Sequence, residues 1–535
     1  MSNKSFLKGA AILGIAGIIV KILGAFFRIP LGNIIGDTGL GYYQASYPIY
    51  VLLLTISTAG IPTAISKLVA ERRAIGDRYG AHRVFKVSFV LLFVTGIITS
   101  SIIFFGARTI VELIKNPNAY YSMLAVVPAL LFVPVMAAYR GYFQGMQDMT
   151  PTAISQVIEQ FGRVIVGLGL AVFLLDRGPE IASAGAVFGA AAGAITGTLI
   201  IVYIYYRRRN QIMLEIQSNA HIQQESSGAI ISKLLRIAIP ITIGAAIMPV
   251  MNMIDVAIVM RRLQDVGFTY EEANSLYGQL TGMALTLINL PQVLTVALAM
   301  SLVPAISDAS QRRDHKGIQN VIQTGTRATL LIGLPAAVGL VTLSKPIMML
   351  LYPMQVESAL NAAGPLAILS IGLVFLTLVQ TFTGILQGLG KPSIPVMNLA
   401  IGSIFKIILT YTLTGIYAIN VKGAAIGTVV TYGVTALLNF LAVRRITHTS
   451  FNVVQFIVKP LIAVGAMSVS VLVVYNQLVP ILGNRLTTVL AISIGALIYG
   501  LMLLTTGGIT EEDFQVMPGG KKIVKVLRIL GLIRK

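Results

Sequence analysis

The chain has 535 residues, of which 56% are hydrophobic and only 11% charged, and it carries a formal net charge of +20. Such apolarity excludes a soluble globular protein, and in a membrane protein the basic excess reads as the positive-inside signature rather than a nucleic-acid footprint. With no cysteine, disulfides, thiolate metal centres and cysteine nucleophiles are excluded as well.

The first apolar run, GAAILGIAGIIVKILGAFFRIPLGNIIG from Gly9 to Gly36, has Lys21 and Arg28 embedded in it. Lys4 and Lys8 precede it as in a signal peptide, but the run is too long and no small-residue cleavage site follows, so it is expected to remain as the first helix. Seven residues at about 100° each bring Lys21 and Arg28 onto one face, roughly 10 Å apart. Either these cations snorkel to an interface, or they form the wall of a cationic cavity. Pro30 predicts a kink just beyond Arg28.

In chain order, apolar windows place fourteen spans at about 9–36, 42–69, 84–106, 120–145, 151–175, 181–206, 234–260, 275–306, 318–344, 361–389, 393–416, 422–443, 453–476 and 486–506. Trp is absent, which leaves Tyr42, Tyr43, Tyr203, Tyr205 and Tyr206 as the expected interfacial belt. With the N-terminus in the cytoplasm, the cytoplasmic segments hold 28 Lys and Arg, counting Arg140 and Arg327 among them, against 8 outside. Both termini are therefore expected in the cytoplasm.

The polar segment 211–228 divides the chain almost in half, and the halves echo each other. Gly141–Gly145 (GYFQG) returns as Gly384–Gly388 (GILQG), and Pro62-Thr-Ala-Ile-Ser66 as Pro304-Ala-Ile-Ser307. Arg72-Arg73 returns as Arg312-Arg313, and Gly185–Gly189 as Gly423–Gly427, all at offsets of 238 to 243. An even number of spans per half predicts parallel repeats about the membrane normal. The expected plan is all-α: a six-helix lobe at 1–210, a linker at 211–228, a second six-helix lobe at 229–446, two further helices within 447–508, and a basic tail at 509–535. In that tail Ile523, Val526, Leu527, Leu530 and Ile533 share a helical face, which suits an interfacial helix on anionic lipid, with a disordered basic tail as the alternative.

Six ionisable residues fall inside the spans: Lys21, Arg28, Glu159, Arg163, Asp255 and Lys406. Glu159 and Arg163 have the spacing of an i,i+4 pair, which is either a structural neutralisation or part of a site. Lys406 lies 243 residues after Arg163, so the halves are expected to hold equivalent cations. Asp255 in the seventh span either pairs with Arg28 in one conformation or makes a helix-packing hydrogen bond. The six sum to +2, which favours an anionic cargo, and phosphate is the anion Arg and Lys hold best. No Walker loop is present. The four histidines (82, 221, 315 and 448) are placed in cytoplasmic loops without metal-ligand spacing. An enzyme and a channel are disfavoured, and no cofactor is called for beyond a coupling ion (Na+ or H+) or the membrane potential.

The fourteen-span plan, together with KILGAFFRIPLGNIIG, GIPTAISK (60–67) and above all RGYFQGMQDMTPTAISQVIEQFGRV (140–164), resembles the multidrug/oligosaccharidyl-lipid/polysaccharide (MOP) exporter superfamily, in its SpoVB-type polysaccharide-biosynthesis branch. That branch includes lipid II flippases of Gram-positive bacteria. The resemblance implies two lobes around a cavity, undecaprenyl-pyrophosphate-linked cell-wall precursor as cargo, and a lipid-tail groove on spans thirteen and fourteen. It also implies Lys21 and Arg28 as the cavity cations meeting the pyrophosphate. Spans 42–69 and 275–306 carry no Arg, unlike the Gram-negative branch, so Arg163 and Lys406 are the candidates for the rest of the substrate site, with Glu159 and Asp255 for coupling or gating. A monomer acting with cell-wall synthesis proteins is expected. The alternatives are export of another undecaprenyl-linked glycan, a cation-coupled multidrug antiporter, and a non-transporting scaffold.

Overall fold

The computed structural model describes residues 3–217, 225–452 and 454–508. All elements among them are helical. Close packing divides the chain into two compact units, 1–282 and 283–535. The first holds α1 (Asn3–Thr58), α2 (Ile61–Ala74), α3 (Arg78–Leu113), α4 (Tyr120–Ala125), α5 (Val127–Gly145), α6 (Thr150–Phe173), α7 (Pro179–Gln217), α8 (Ser227–Asp265) and α9 (Tyr270–Tyr277). After a π-helical turn at Gly278–Ala284, the second holds α10 (Leu285–Gln311), α11 (His315–Thr342), α12 (Ser344–Leu351), α13 (Val356–Gly388), α14 (Ser393–Thr414), α15 (Lys422–Thr447) and α16 (Lys459–Thr505). Helices α8 and α9, which the repeat counts into the second half, thus pack within the first unit.

Twelve segments among the described residues are long and apolar enough to cross a membrane. Two of them, Ile12–Ala74 with 63 residues and Val454–Thr505 with 52, far exceed the roughly 20 that one crossing needs. Both fold back on themselves. In α1, Gly36 alone leaves the helix, at φ 67°, a conformation that costs glycine little. The rings of Phe27 and Tyr43 consequently lie 6.1 Å apart, whereas a straight helix would separate those positions by about 24 Å. In α16, Gly483 (φ 69°) makes the same reversal and brings Gly495 against Val471. The reversal therefore falls at Gly36, and Pro30 stays within helical backbone. Proline forfeits one ladder bond and α1 runs on through it, whereas reversing the chain needs a residue that can take positive φ.

The repeat is visible in how each unit packs. A Cβ on Gly141 of α5 would stand 2.9 Å from the carbonyl oxygen of Pro62, and one on Gly384 of α13 2.7 Å from that of Ala299. Gly145 sits on Val69 as Gly388 sits on Ile306. By this packing Val69 corresponds to Ile306, so the match that paired Ile65 with Ile306 is one helical turn out of register. The helices that follow start alike: Asp77 accepts from the Gly80 amide at 2.7 Å, and Asp314 from the Gly317 amide at 2.9 Å, each satisfying an otherwise unpaired first-turn amide.

The tyrosine belt needs correction. Tyr42, Tyr43 and Tyr205 are buried, while Tyr203 and Tyr206 are exposed. Tyr42 and Tyr43 follow the Gly36 reversal, and Tyr205 stacks into a ring cluster with Phe85, Tyr139 and Tyr142. The basic tail 509–535 and His221 lie outside the described residues.

Candidate functional site

The returning arm of α1 presents Tyr43, Tyr47 and Tyr50 in one ladder, with ring centroids 5.7 and 5.9 Å apart. Their spacing of four and then three residues keeps the rings on one helical face. Against the first arm of α1 runs α6, close enough that a Cβ on its Gly167 would meet the Phe27 ring at 2.9 Å.

On α6, Glu159 and Arg163 pair at 3.6 Å, as their i,i+4 spacing requires. A second cation completes the arrangement. Arg140 of α5 reaches Glu159 at 2.9 Å, and its Nε donates to Ser155 Oγ at 2.8 Å. The three charged side chains are only 15 to 17% exposed. One carboxylate between two guanidinium groups leaves the cluster one charge positive.

Arg163 lies within electrostatic reach of Tyr43, Tyr47 and Tyr50, and Arg28 acts on Tyr43 from the first arm of α1. Two of the expected substrate cations, Arg28 and Arg163, thus act electrostatically on the same tyrosine from two helices. Two buried polar atoms here, Arg163 Nε and Tyr50 Oη, have no hydrogen-bond partner among the described residues. Leaving a buried donor unpaired costs about 1–3 kcal/mol, so the cluster holds donor capacity that an additional anionic oxygen would satisfy.

The remaining sequence candidates lie elsewhere. Lys21 is exposed, seven residues before the half-buried Arg28. Asp255 of α8 is half-buried and acts electrostatically on Tyr277 of α9. Lys406 belongs to the second unit, half-buried on α14. Arg140 was assigned to the cytoplasm because it falls near a span end, yet it lies within α5 and is part of the cluster. Arg327 is likewise buried, at 7% exposure, in the body of α11. His82 is also no loop residue: it is buried on α3 against Phe85 and Tyr142. His315 opens α11, and His448 ends α15. Among the described residues no group of three or more His, Cys, Asp and Glu could hold a metal ion.

A second polar network carries no charge motif and was not picked out from the sequence. Gln279 donates to Asp37 at 2.7 Å, Asn274 to the Thr38 carbonyl at 2.8 Å, and Asn116 to Asn274 at 2.7 Å. These bonds fasten the Gly36 reversal to α9 and the π turn after it. Asn116 and Asn274 are fully buried and bond each other there, while Asn116 Oδ1 has no hydrogen-bond partner among the described residues.

Residues 6–310 match the family described as "Polysaccharide biosynthesis protein", and residues 280–412 match the MatE family. The chain is 29% identical over 488 residues to "Lipid II flippase MurJ" of Bacillus subtilis (strain 168), covering 89% of each. To "Stage V sporulation protein B" of the same organism it is 28% identical over 464 residues, covering 85% of this chain and 87% of the relative. Among solved structures, its fold superposes on "Lipid II flippase MurJ, inward closed conformation" with a TM-score of 0.68 and 18% identity, covering 92% of this chain and 98% of that one. Matched over more than half its length, the chain belongs to the polysaccharide biosynthesis protein family of the MOP superfamily, a multi-pass MurJ/SpoVB-like membrane transporter and not an enzyme.

Proposed function

We propose that this transporter flips undecaprenyl-pyrophosphate-linked peptidoglycan precursor, lipid II, from the cytoplasmic to the outer leaflet by alternating access. The observation that carries this reading is that Arg28 and Arg163 both act electrostatically on Tyr43, beside a Glu159 already shared with Arg140. A net-positive, largely buried cluster with unpaired donors suits a pyrophosphate, which offers several anionic oxygens to guanidinium forks. Lys21, on the same helical face as Arg28, would meet the cargo earlier on its path, and Lys406 is a further candidate cation for the cargo. Glu159 and Asp255 are the residues we assign to coupling or gating, driven by Na+, H+ or the membrane potential. Both termini would face the cytoplasm, with the basic tail on anionic lipid.

Similarity to the sporulation protein, nearly equal to that with the flippase, supports a second reading, in which the cargo is another undecaprenyl-linked glycan. Depleting the protein in a strain lacking redundant flippases separates the two. Lipid II accumulating on the cytoplasmic leaflet supports the first, and normal exposure outside removes it. In the same strain Arg28→Ala should abolish transport with the protein inserted at normal levels. Arg28→Lys should retain part, because it keeps the charge and loses the bidentate fork. Complementation by the alanine variant would remove Arg28 from the site.

A further inference from the structure

Between the start of α6 and the end of α7 lies a cavity of about 350 Å³. Its polar wall is Arg207, Arg208 and Thr150, and its apolar wall is Ile154, Tyr203 and Ile204. Thr150 stands thirteen residues from Arg163 on α6, about 20 Å along the axis, so this is not the cluster described above. The two arginines are not equivalent. Arg208 is paired with Asp148 and lies over the Phe143 ring. No ion pair or hydrogen bond engages Arg207 among the described residues. In the first turn of α6 the Thr150 amide donates to Asp148 at 3.1 Å and Pro151 has no N–H, so the Thr152 amide is the one donor left at this end of the cavity.

We propose that this cavity binds the phosphate headgroup of an anionic glycerophospholipid in the leaflet it faces, the cytoplasmic one by the loop charges. Chemistry divides the walls as a lipid requires. Tyr203 lies one helical turn below Arg207, and it and Ile154 are 59% and 40% exposed, an apolar path along which an acyl chain can lie. Above them the guanidinium groups sit where a headgroup phosphate would be, with the aromatic at the boundary between the two. A soluble anion would use the arginines and leave the apolar wall without a purpose. Asp148 tunes the site by occupying one of the two cations.

The test uses the full-length, delipidated protein in neutral detergent, titrated with phosphatidylglycerol or phosphatidylcholine and read by native mass spectrometry. Arg207→Gln should weaken the first phosphatidylglycerol by about fivefold, the equivalent of ~1 kcal/mol for one basic residue at an anionic surface, with unchanged thermal unfolding in lipid-free detergent. Asp148→Asn should tighten it by releasing Arg208. The repeat-related Arg444→Gln/Arg445→Gln pair is the control for generic surface charge and should have little effect. Equal losses in that control, equal affinity for phosphatidylcholine, or displacement of the lipid by millimolar inorganic phosphate would each overturn the proposal.

Discussion

The α6–α7 pair of the first unit and the α14–α15 pair of the second share a backbone arrangement and differ in what is built on it. A Cβ on Gly189 of α7 would lie 2.6 Å from the carbonyl oxygen of Arg163, and one on Gly427 of α15 3.3 Å from that of Lys406. The two cations, 243 residues apart, thus occupy the same place on their helices, each with its backbone against a glycine. At the same offset, however, Glu159 becomes Gly402 and Arg140 becomes Thr383. Where the first unit has a carboxylate between two guanidinium groups, the second has a glycine packed on Thr431 and Thr435. Helix packing is held in common by small residues, and the charge cluster belongs to one copy alone.

The largest effect of that asymmetry comes from removing the carboxylate. Glu159→Ala leaves Arg140 and Arg163 largely buried without their anion and should cost about 3–5 kcal/mol of stability, seen as a marked fall in thermal unfolding temperature in detergent. At the position equivalent to Glu159 the second unit has Gly402, so Lys406→Ala strands no carboxylate-paired arginine there and should shift the same melt less. Equal shifts would mean that the second unit hides an equivalent cluster.

A smaller effect separates the two glycines. Gly189→Ala must push a methyl group into backbone, the Arg163 carbonyl, and overpacking of this kind costs about 1–3 kcal/mol. At Gly427 the nearest atom is Thr410 Oγ1 at 2.8 Å and the nearest backbone atom, the Lys406 carbonyl oxygen, is at 3.3 Å, so Gly427→Ala should cost less than Gly189→Ala. Melts of the two variants side by side decide the matter, and the comparison fails if Gly427→Ala is the more damaging.

Much of this asymmetry could be read before any coordinates. The Glu159–Arg163 pair and the Arg163–Lys406 equivalence follow from spacing, since one helix turn and one repeat length are both properties of the sequence. Arg140 was not legible, because an i,i+4 rule sees partners on one helix and its partner is on the next. The tyrosine ladder had a signal, residues 43, 47 and 50 at helical spacing. Hydropathy alone sends tyrosine to the interface, however, and only the Gly36 reversal turns these rings inward. The Asn116–Asn274 contact spans 158 residues between uncharged amides, and no local pattern announces it. Register was legible to within a turn: glycine spacing aligned α5 with α13, while the shorter Pro–Ala–Ile–Ser match slipped by four residues because an apolar helix repeats nearly the same face after that step.

The smallest effect is at the loop ends, where the two units differ again. After α2, Arg72 bonds Asp77 at 3.1 Å and also Glu225, which in turn pairs with Lys233, and Arg72, Asp77 and Glu225 are only 8 to 23% exposed. After α10, Arg312 pairs with Asp308 alone among the described residues, at 3.1 Å with both side chains 61% or more exposed, an arrangement worth little in water. The hydrogen bond from Lys233, helped by the charges of Lys233 and Arg72, holds the Glu225 carboxyl below its ordinary value. A carboxylate lowered on folding contributes stability that is fully present above its unfolded pKa, about 4.3, and is lost as pH falls through the folded value. The difference in unfolding temperature between wild type and Glu225→Gln should therefore stay constant from pH 7 to pH 5 and shrink progressively once the pH falls below about 4.3. For Asp308→Asn it should be near zero throughout. A Glu225 difference that persists at pH 3, or an Asp308 difference of equal size, would show that the two turns are held alike.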